Sequence, residues 1–188
     1  MEKSSKIYYP HRLLSAWKQV KRKNGTSGVG RMTIRGFEGR KSELLGIISE
    51  KLKAGTYHFK PARRALKPKG NSPEMRKLNI PTVMDRVVAR YIHSVLAEIF
   101  DIDFTKSNFG FRKGKSQHQA IRYLRDKMME GYSWCVKIDL RSFFNELSHN
   151  LILKLIRRKV TDKQLLTLIT RALKAGVVTD EGFRETPC

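Results

Sequence analysis

The sequence predicts a mixed α+β chain, helix-rich in its first half, carrying a basic β-hairpin and one apolar strand that ends on an aspartate. Three observations predict it. Apolar residues recur at helical spacing on both sides of residues 51–77. Within 51–77, Pro61, Pro68, Gly70 and Pro73 forbid a helix, and nine positions are Lys or Arg against the single acid Glu74. Further on, Trp134, Val136 and Ile138 alternate with Cys135, Lys137 and Asp139, which is the period of a strand. Strands and helices do not alternate as a doubly wound fold requires.

Taken in order, Tyr8 to Lys23 carries Leu13, Leu14, Trp17 and Val20 at helical spacing and stops at the turn signal Asn24-Gly25. A second helix is predicted from Phe37 to Leu52, with Leu44, Leu45, Ile48 and Leu52 inward and Gly55 closing it. Pro61 to Lys67 reads as a strand, Gly70-Asn71 as a turn, and Leu78 and Ile80 lie on the return strand. Thr82 and Asp85 form a capping-box pattern before a long apolar face, Val87 to Phe100. Asp101 to Gly114 is loop-like. Ser116 and Gln119 cap a helix running to about Glu130, and Gly131 breaks it. After the strand, helices are predicted at about Leu151 to Arg158 and from a Thr161/Gln164 capping box to Leu173, followed by a short hairpin arm or loop.

The charge balance is the outlier. Lys and Arg number 39 against 17 Asp and Glu, a formal net charge of +22, on a chain of 188 residues that is 40% hydrophobic and 30% charged. That composition suits a folded protein, and so large an excess implies a polyanionic partner. No apolar run approaches the length of a membrane span, so nucleic acid is preferred over an anionic bilayer. Charge alone does not separate an enzyme from a passive RNA-binding protein. Cys135 and Cys188 are the only cysteines, and neighbouring histidines are at least 25 positions apart. That leaves no disulfide framework or zinc site, makes Cys135 a core thiol by its apolar setting, and reads as a reducing, intracellular compartment.

Chemistry could reside in three places. An apolar strand delivering Asp139 to its end would hold a carboxylate rigidly, and hard cations such as Mg²⁺ prefer carboxylate and carbonyl oxygen. The Leu140 carbonyl could add a further oxygen. The alternative is that Asp139 merely caps the following turn. In the basic hairpin, Lys69 and Arg76 flank a turn and could converge on a triphosphate, unless the face only tracks a nucleic-acid backbone. Phe109 to Ser116 offers glycines, Arg112, Lys113 and Lys115 before a helix start, a weak pattern for phosphate by itself.

Together and in order, these pieces resemble a known family. Lys67-Pro-Lys69 with Arg76-Lys-Leu-Asn-Ile-Pro-Thr-Val-Met-Asp-Arg-Val-Val88 resembles the first conserved block of group II intron reverse transcriptases. Ser107-Asn-Phe-Gly-Phe-Arg-Lys-Gly-Lys-Ser116 is similar to the second, and Val136-Lys-Ile-Asp139-Leu-Arg-Ser-Phe-Phe144 with His149 to the third. Asn24-Gly25 through Gly28-Val29 and Phe37 is similar to the extension this family places ahead of the fingers.

The resemblance implies the fingers and an incomplete palm of a right-hand polymerase. Residues 1–125 would be the extension and fingers. Residues 126–188 would start the palm, ending before the Tyr-x-Asp-Asp motif. It also implies Asp139 as a metal ligand assisted by the Leu140 carbonyl, with two Mg²⁺ ions as cofactor. Lys69 and Arg76 would contact the incoming dNTP, and Phe144 would be the aromatic gate beneath its sugar. Arg63, Arg64, Lys67, Arg112, Lys113 and Lys115 would hold nucleic acid. The partners would be an RNA template, an RNA–DNA duplex and a group II intron RNA, in the cytoplasm of a bacterial cell, nucleoid-associated or in a ribonucleoprotein. A fragment with one carboxylate is expected to be inactive alone, and its exposed palm face would favour a homodimer. The rival readings are a non-catalytic, maturase-like RNA-binding module, or a retron or diversity-generating reverse transcriptase.

Overall fold

The computed structural model describes residues 10–70, 72–140 and 143–186. The described chain forms two units. One holds residues up to Ser94 together with those from Leu147 onward, and the other is Val95–Glu146.

In the first unit, helix α1 (Pro10–Lys23) lays Leu13, Ala16, Trp17 and Val20 into the core, while Leu14 is turned outward. Trp17 stacks on Phe37 with ring centroids 4.2 Å apart, and its indole N–H donates to Glu38 at 2.8 Å. The second helical stretch is not continuous. α2 (Ile34–Gly39) starts early because the Thr33 hydroxyl caps it, accepting from the Gly36 N–H. It ends at Arg40, whose backbone (φ −119°, ψ 24°) leaves the helix before α3 (Lys41–Lys53) begins. This split lets Ile34 and Phe37 join Leu44, Ile48 and Leu52 inside, a choice that helical spacing from Phe37 onward does not reveal.

β1 (Ala62–Lys69) and β2 (Ser72–Ile80) pair antiparallel as the expected basic hairpin. Asn71, in the predicted turn, lies outside the described residues. Helix α4 (Val83–Phe100) follows, with Val83, Val87, Val88, Tyr91 and Ile92 buried. Helices α7 (His149–Arg157) and α8 (Lys163–Leu173) pack on each other. The cap of α8 is Asp162, which accepts from the Leu165 N–H at 2.7 Å, in place of the expected Thr161/Gln164 box. The hairpin arm is β3 (Val177–Thr179) with β4 (Gly182–Arg184). β3 lies parallel to the start of β1, giving a mixed sheet of order β2-β1-β3-β4.

The second unit contains the end of α4, a 3₁₀ turn at Asp101–Asp103, α5 (Gln117–Met129) and the single turn α6 (Phe143–Glu146). α5 carries the full capping box foreseen from Ser116 and Gln119. The strand expected at Trp134–Ile138 is absent. Residues 133–140 form no ladder, Trp134 is 93% exposed, and Val136 and Ile138 are each 82% exposed. The alternation is present in the sequence, but a strand exists only when another segment accepts its hydrogen bonds, and no described segment does. Cys135 is correspondingly an exposed thiol and not a core one. Among the described residues, no helix is long and apolar enough to cross a membrane.

Two glycines, one in the loop after α1 and one in α3, meet opposite surroundings. A Cβ on Gly28 would lie 2.6 Å from the Pro81 carbonyl, so backbone would have to move. Gly46, within α3, has open space around it. Gly28→Ala is therefore expected to lower stability by about 1–3 kcal/mol. Gly46→Ala should raise it by about 0.5–1 kcal/mol through helix propensity. Urea denaturation of the two variants side by side checks both signs.

Candidate nucleotide and nucleic-acid interface

The base of the basic hairpin is held from inside by one carboxylate. Asp85, 2% exposed, sits in the first turn of α4. Its Oδ1 accepts from the Tyr57 hydroxyl at 2.8 Å, and its Oδ2 accepts from the Thr82 hydroxyl at 2.5 Å and the Lys60 N–H at 3.3 Å. Thr82 in turn caps the helix, accepting from the Asp85 N–H at 3.1 Å. Lys60 lies two residues before the outgoing leg of the hairpin and Thr82 two residues after the returning one. A single side chain thus ties both legs to α4.

The neighbouring loop is pinned to the same region. Arg63, in β1, donates to the Ser27 carbonyl at 2.9 Å, and Arg86, in α4, donates to the Thr26 carbonyl at 2.6 Å. Arg171 of α8 donates to the Gly55 and Tyr57 carbonyls at 2.6 and 3.0 Å. This network fixes the segment from which β1 departs.

Burial raises the Asp85 pKa above the ordinary carboxylate value, and the donors from Thr82, Tyr57 and Lys60 only partly offset it. A carboxyl whose pKa is raised by folding favours the folded state most below its unfolded value. That contribution is lost as pH rises through the folded value. The stability of the wild type relative to Asp85→Asn is therefore expected to be greatest below about pH 4 and to shrink as pH rises. Asp85→Ala leaves the Tyr57, Thr82 and Lys60 donors without their acceptor and is expected to cost about 3–5 kcal/mol. Urea denaturation across a pH series measures both. A cost under about 1 kcal/mol for the alanine would mean that the carboxylate does not hold the hairpin base.

Along the hairpin, Arg64 faces Asn79, Leu66 faces Lys77 and Lys67 faces Arg76. The register then shifts between Pro68 and Lys69, so Lys69 comes opposite Ser72. Lys69 and Arg76 are therefore not cross-strand neighbours. The Lys69 side chain lies outside the described residues, and Arg76 is exposed.

In the second unit, Arg112 is a closure for its own loop. Its guanidinium donates to both Asp101 oxygens, at 2.7 and 3.1 Å, and to the carbonyls of Thr105, Asn108 and Asp101. That pairing holds the Asp101 carboxyl below the usual carboxylate range. The nucleic-acid role expected of Arg112 competes with this internal one, because its donors already have acceptors. Lys113 is exposed, and Lys115 places its ammonium 5.4 Å from the centre of the Phe109 ring.

Asp139 is exposed and makes no hydrogen bond or ion pair among the described residues. The turn that Asp139 would cap, at residues 141–142, lies outside the described residues. No group of three or more His, Cys, Asp or Glu gathers among the described residues. One carboxylate and the Leu140 carbonyl are oxygen donors of the right kind for Mg²⁺, but they do not amount to a site for a pair of ions. The Phe144 side chain lies outside the described residues.

Residues 67–187 match the reverse transcriptase (RNA-dependent DNA polymerase) family. The chain belongs to the reverse transcriptase family. The matched region takes in most of the hairpin, the Arg112 loop and Asp139. The chain is also 32% identical over 161 residues to the group II intron-encoded protein LtrA of Lactococcus lactis subsp. cremoris, covering 86% of this chain and 26% of that protein. It is 33% identical over 164 residues to protein YkfC of Escherichia coli K12, covering 85% of this chain and 42% of that one. Nuclear intron maturase 2, mitochondrial, of Arabidopsis thaliana is 32% identical over 97 residues, covering 52% of this chain and 13% of the maturase. This reverse transcriptase chain spans less than half the length of each of these relatives. The likeness to intron-encoded and maturase proteins is what the motif blocks implied.

Sequence reasoning did not identify Asp85, Tyr57, Arg86 and Arg171 as the residues that position the hairpin and its surroundings. The Thr82/Asp85 pattern carried half of the signal, since it located the helix start. It did not show that the same carboxylate faces inward toward Tyr57 and Lys60.

Proposed function

We propose that these residues are the fingers and the beginning of the palm of a group II intron-type reverse transcriptase. Residues 1–125 are the amino-terminal extension and fingers, and residues 126–188 start the palm. The whole protein, on this reading, adds dNTPs to a primer 3′-hydroxyl on an RNA template and assists splicing and retrohoming of its intron RNA. It works in the bacterial cytoplasm within a ribonucleoprotein, and it self-associates as a homodimer through exposed palm surface.

Lys69 and Arg76 contact the triphosphate of the incoming dNTP, and Phe144 packs beneath its sugar to exclude a 2′-hydroxyl. Arg63, Arg64, Lys67, Lys113 and Lys115 line the nucleic-acid path. Asp139 and the Leu140 carbonyl supply part of a Mg²⁺ ligand set whose other carboxylates are not among these residues.

The observation that carries this reading is the exposed carboxylate of Asp139, without a partner among the described residues and lying in the matched region downstream of the basic hairpin. Primer extension on an RNA template by the whole protein tests it. Extension that requires Asp139 supports the reading. RNA binding by the whole protein without any extension supports instead a non-catalytic RNA-binding module. The 188-residue chain alone is expected to bind RNA and extend nothing.

A further inference from the structure

A chain of contacts runs from α8 to the basic hairpin, and Tyr57 is its middle member. Arg171 of α8 donates to the Tyr57 carbonyl at 3.0 Å. The buried Tyr57 ring lies edge-on to Phe59 and borders a small cavity that Leu52 of α3 and Leu168 of α8 also line. Its hydroxyl donates to Asp85 Oδ1, while Asp85 Oδ2 accepts from the Lys60 N–H, two residues before β1. The short segment 57–60 is thus held at one end by α8 and at the other by α4. Burial and the neighbouring Asp85 push the Tyr57 pKa up, so the hydroxyl keeps its proton and remains a donor. Packing alone does not require that hydroxyl, since a phenylalanine ring would fill the same space. What the O–H adds is direction, because it orients the carboxylate whose other oxygen receives the Lys60 amide. An amide side chain at position 85 could not serve both partners. One of its two ends donates, so either the Tyr57 proton or the Lys60 proton would lose its acceptor.

We propose that Tyr57 and Asp85 are positioning residues for primer extension: through the Lys60 amide they set the direction in which the hairpin leaves α4, and so where its tip meets the incoming nucleotide. The role rests on the proposed contact of Lys69 and Arg76 with the triphosphate. Neither Tyr57 nor Asp85 touches the nucleotide, and each acts through backbone. The hairpin works as a lever. Lys69 lies seven residues beyond Ala62, about 23 Å along a strand, so a tilt of about 10° at the base moves the tip by about 4 Å. The base has a second tie, since β3 pairs with Ala62 and Arg63. Losing the Asp85 tie therefore lets the ribbon rock about the remaining one without melting it, because the β1–β2 ladder is internal to the hairpin.

The test compares Tyr57→Phe and Asp85→Asn with Leu153→Ala, which opens a buried position of α7 outside this chain of contacts and controls for lost stability alone. Primer extension by the whole protein at varied dNTP concentration is expected to show KM raised about tenfold in the first two variants, the equivalent of about 1.4 kcal/mol, with kcat unchanged. Leu153→Ala should lower the thermal midpoint and keep the wild-type KM. In the 188-residue chain, amide exchange followed by NMR is expected to speed up at Lys60 in both variants while the β1–β2 ladder amides stay protected. An unmoved KM in Tyr57→Phe, or an equal rise in Leu153→Ala, would overturn the positioning role. Ladder amides that exchange as fast as Lys60 would also overturn it, because the hairpin would then be melting and not tilting. A wild type that extends no primer overturns the polymerase reading and the positioning role together, whereas an extending wild type with an unmoved variant KM overturns the positioning role alone. If Asp85→Asn does not fold, Tyr57→Phe decides, since it keeps the buried ring and the Arg171 contact to the backbone of residue 57.

Discussion

Asp139→Ala in the whole protein is expected to reduce primer extension by about a thousandfold or more while leaving the affinity for RNA unchanged. The size of the effect follows from the cost of losing a direct ligand to a charge-stabilising ion, several kcal/mol, at about 1.4 kcal/mol for each tenfold. The structure makes the experiment clean. Asp139 has no hydrogen-bond or ion-pair partner among the described residues and is exposed, so the alanine removes no packing among them. Exposed substitutions away from caps and networks leave stability nearly unchanged. The urea midpoint of the variant should therefore match that of the wild type, and a loss of extension cannot be assigned to unfolding. A drop of less than tenfold would remove Asp139 from the chemistry and return it to the role of a surface side chain.

The contrast with Asp85 shows what the sequence disclosed and what it did not. Both are aspartates in the motif blocks, and spacing alone gave each a plausible capping role. Asp85 is the buried one, tied to residues 25 and 28 positions earlier in the chain, while Asp139 is exposed and unpartnered. Chain order reports local neighbours such as Thr82, but contacts such as Tyr57 to Asp85 form only once the hairpin folds back on the helix. The hairpin itself was legible because proline and glycine exclude a helix, and those constraints are local. Its register was not, because the shift between Pro68 and Lys69 moves Lys69 to Ser72 and leaves Lys67 facing Arg76. The apolar alternation at Trp134–Ile138 is a real pattern without a strand, since pairing belongs to two segments and only one is present among the described residues. Arg112 illustrates the same point for charge. Its residue type suggests a phosphate partner, whereas Asp101, eleven residues earlier, occupies it.

Binding of a structured RNA by the 188-residue chain is expected to fall by about a thousandfold or more between 50 and 200 mM salt, as it does for proteins that neutralise about six or more phosphates. An excess of 22 positive charges remains after all 17 acids are counted. Glu38, Glu43, Asp101, Asp126, Glu130 and Glu181 are each already engaged by a lysine or arginine of the same unit. With 39 basic residues against 17 acids, most of the basic side chains are left to find an anion elsewhere. The hairpin concentrates several of them on a two-stranded ribbon whose base is anchored through Asp85, Arg63 and Arg86. Anchoring of the base reduces the ordering that RNA binding must impose on the ribbon, so the salt slope should chiefly report counterion release. Log affinity against log salt, measured by fluorescence anisotropy, gives the number of phosphates neutralised. A shallow slope would mean that the charge is spread over the surface without forming a track, and the hairpin would then serve a single phosphate and not a strand.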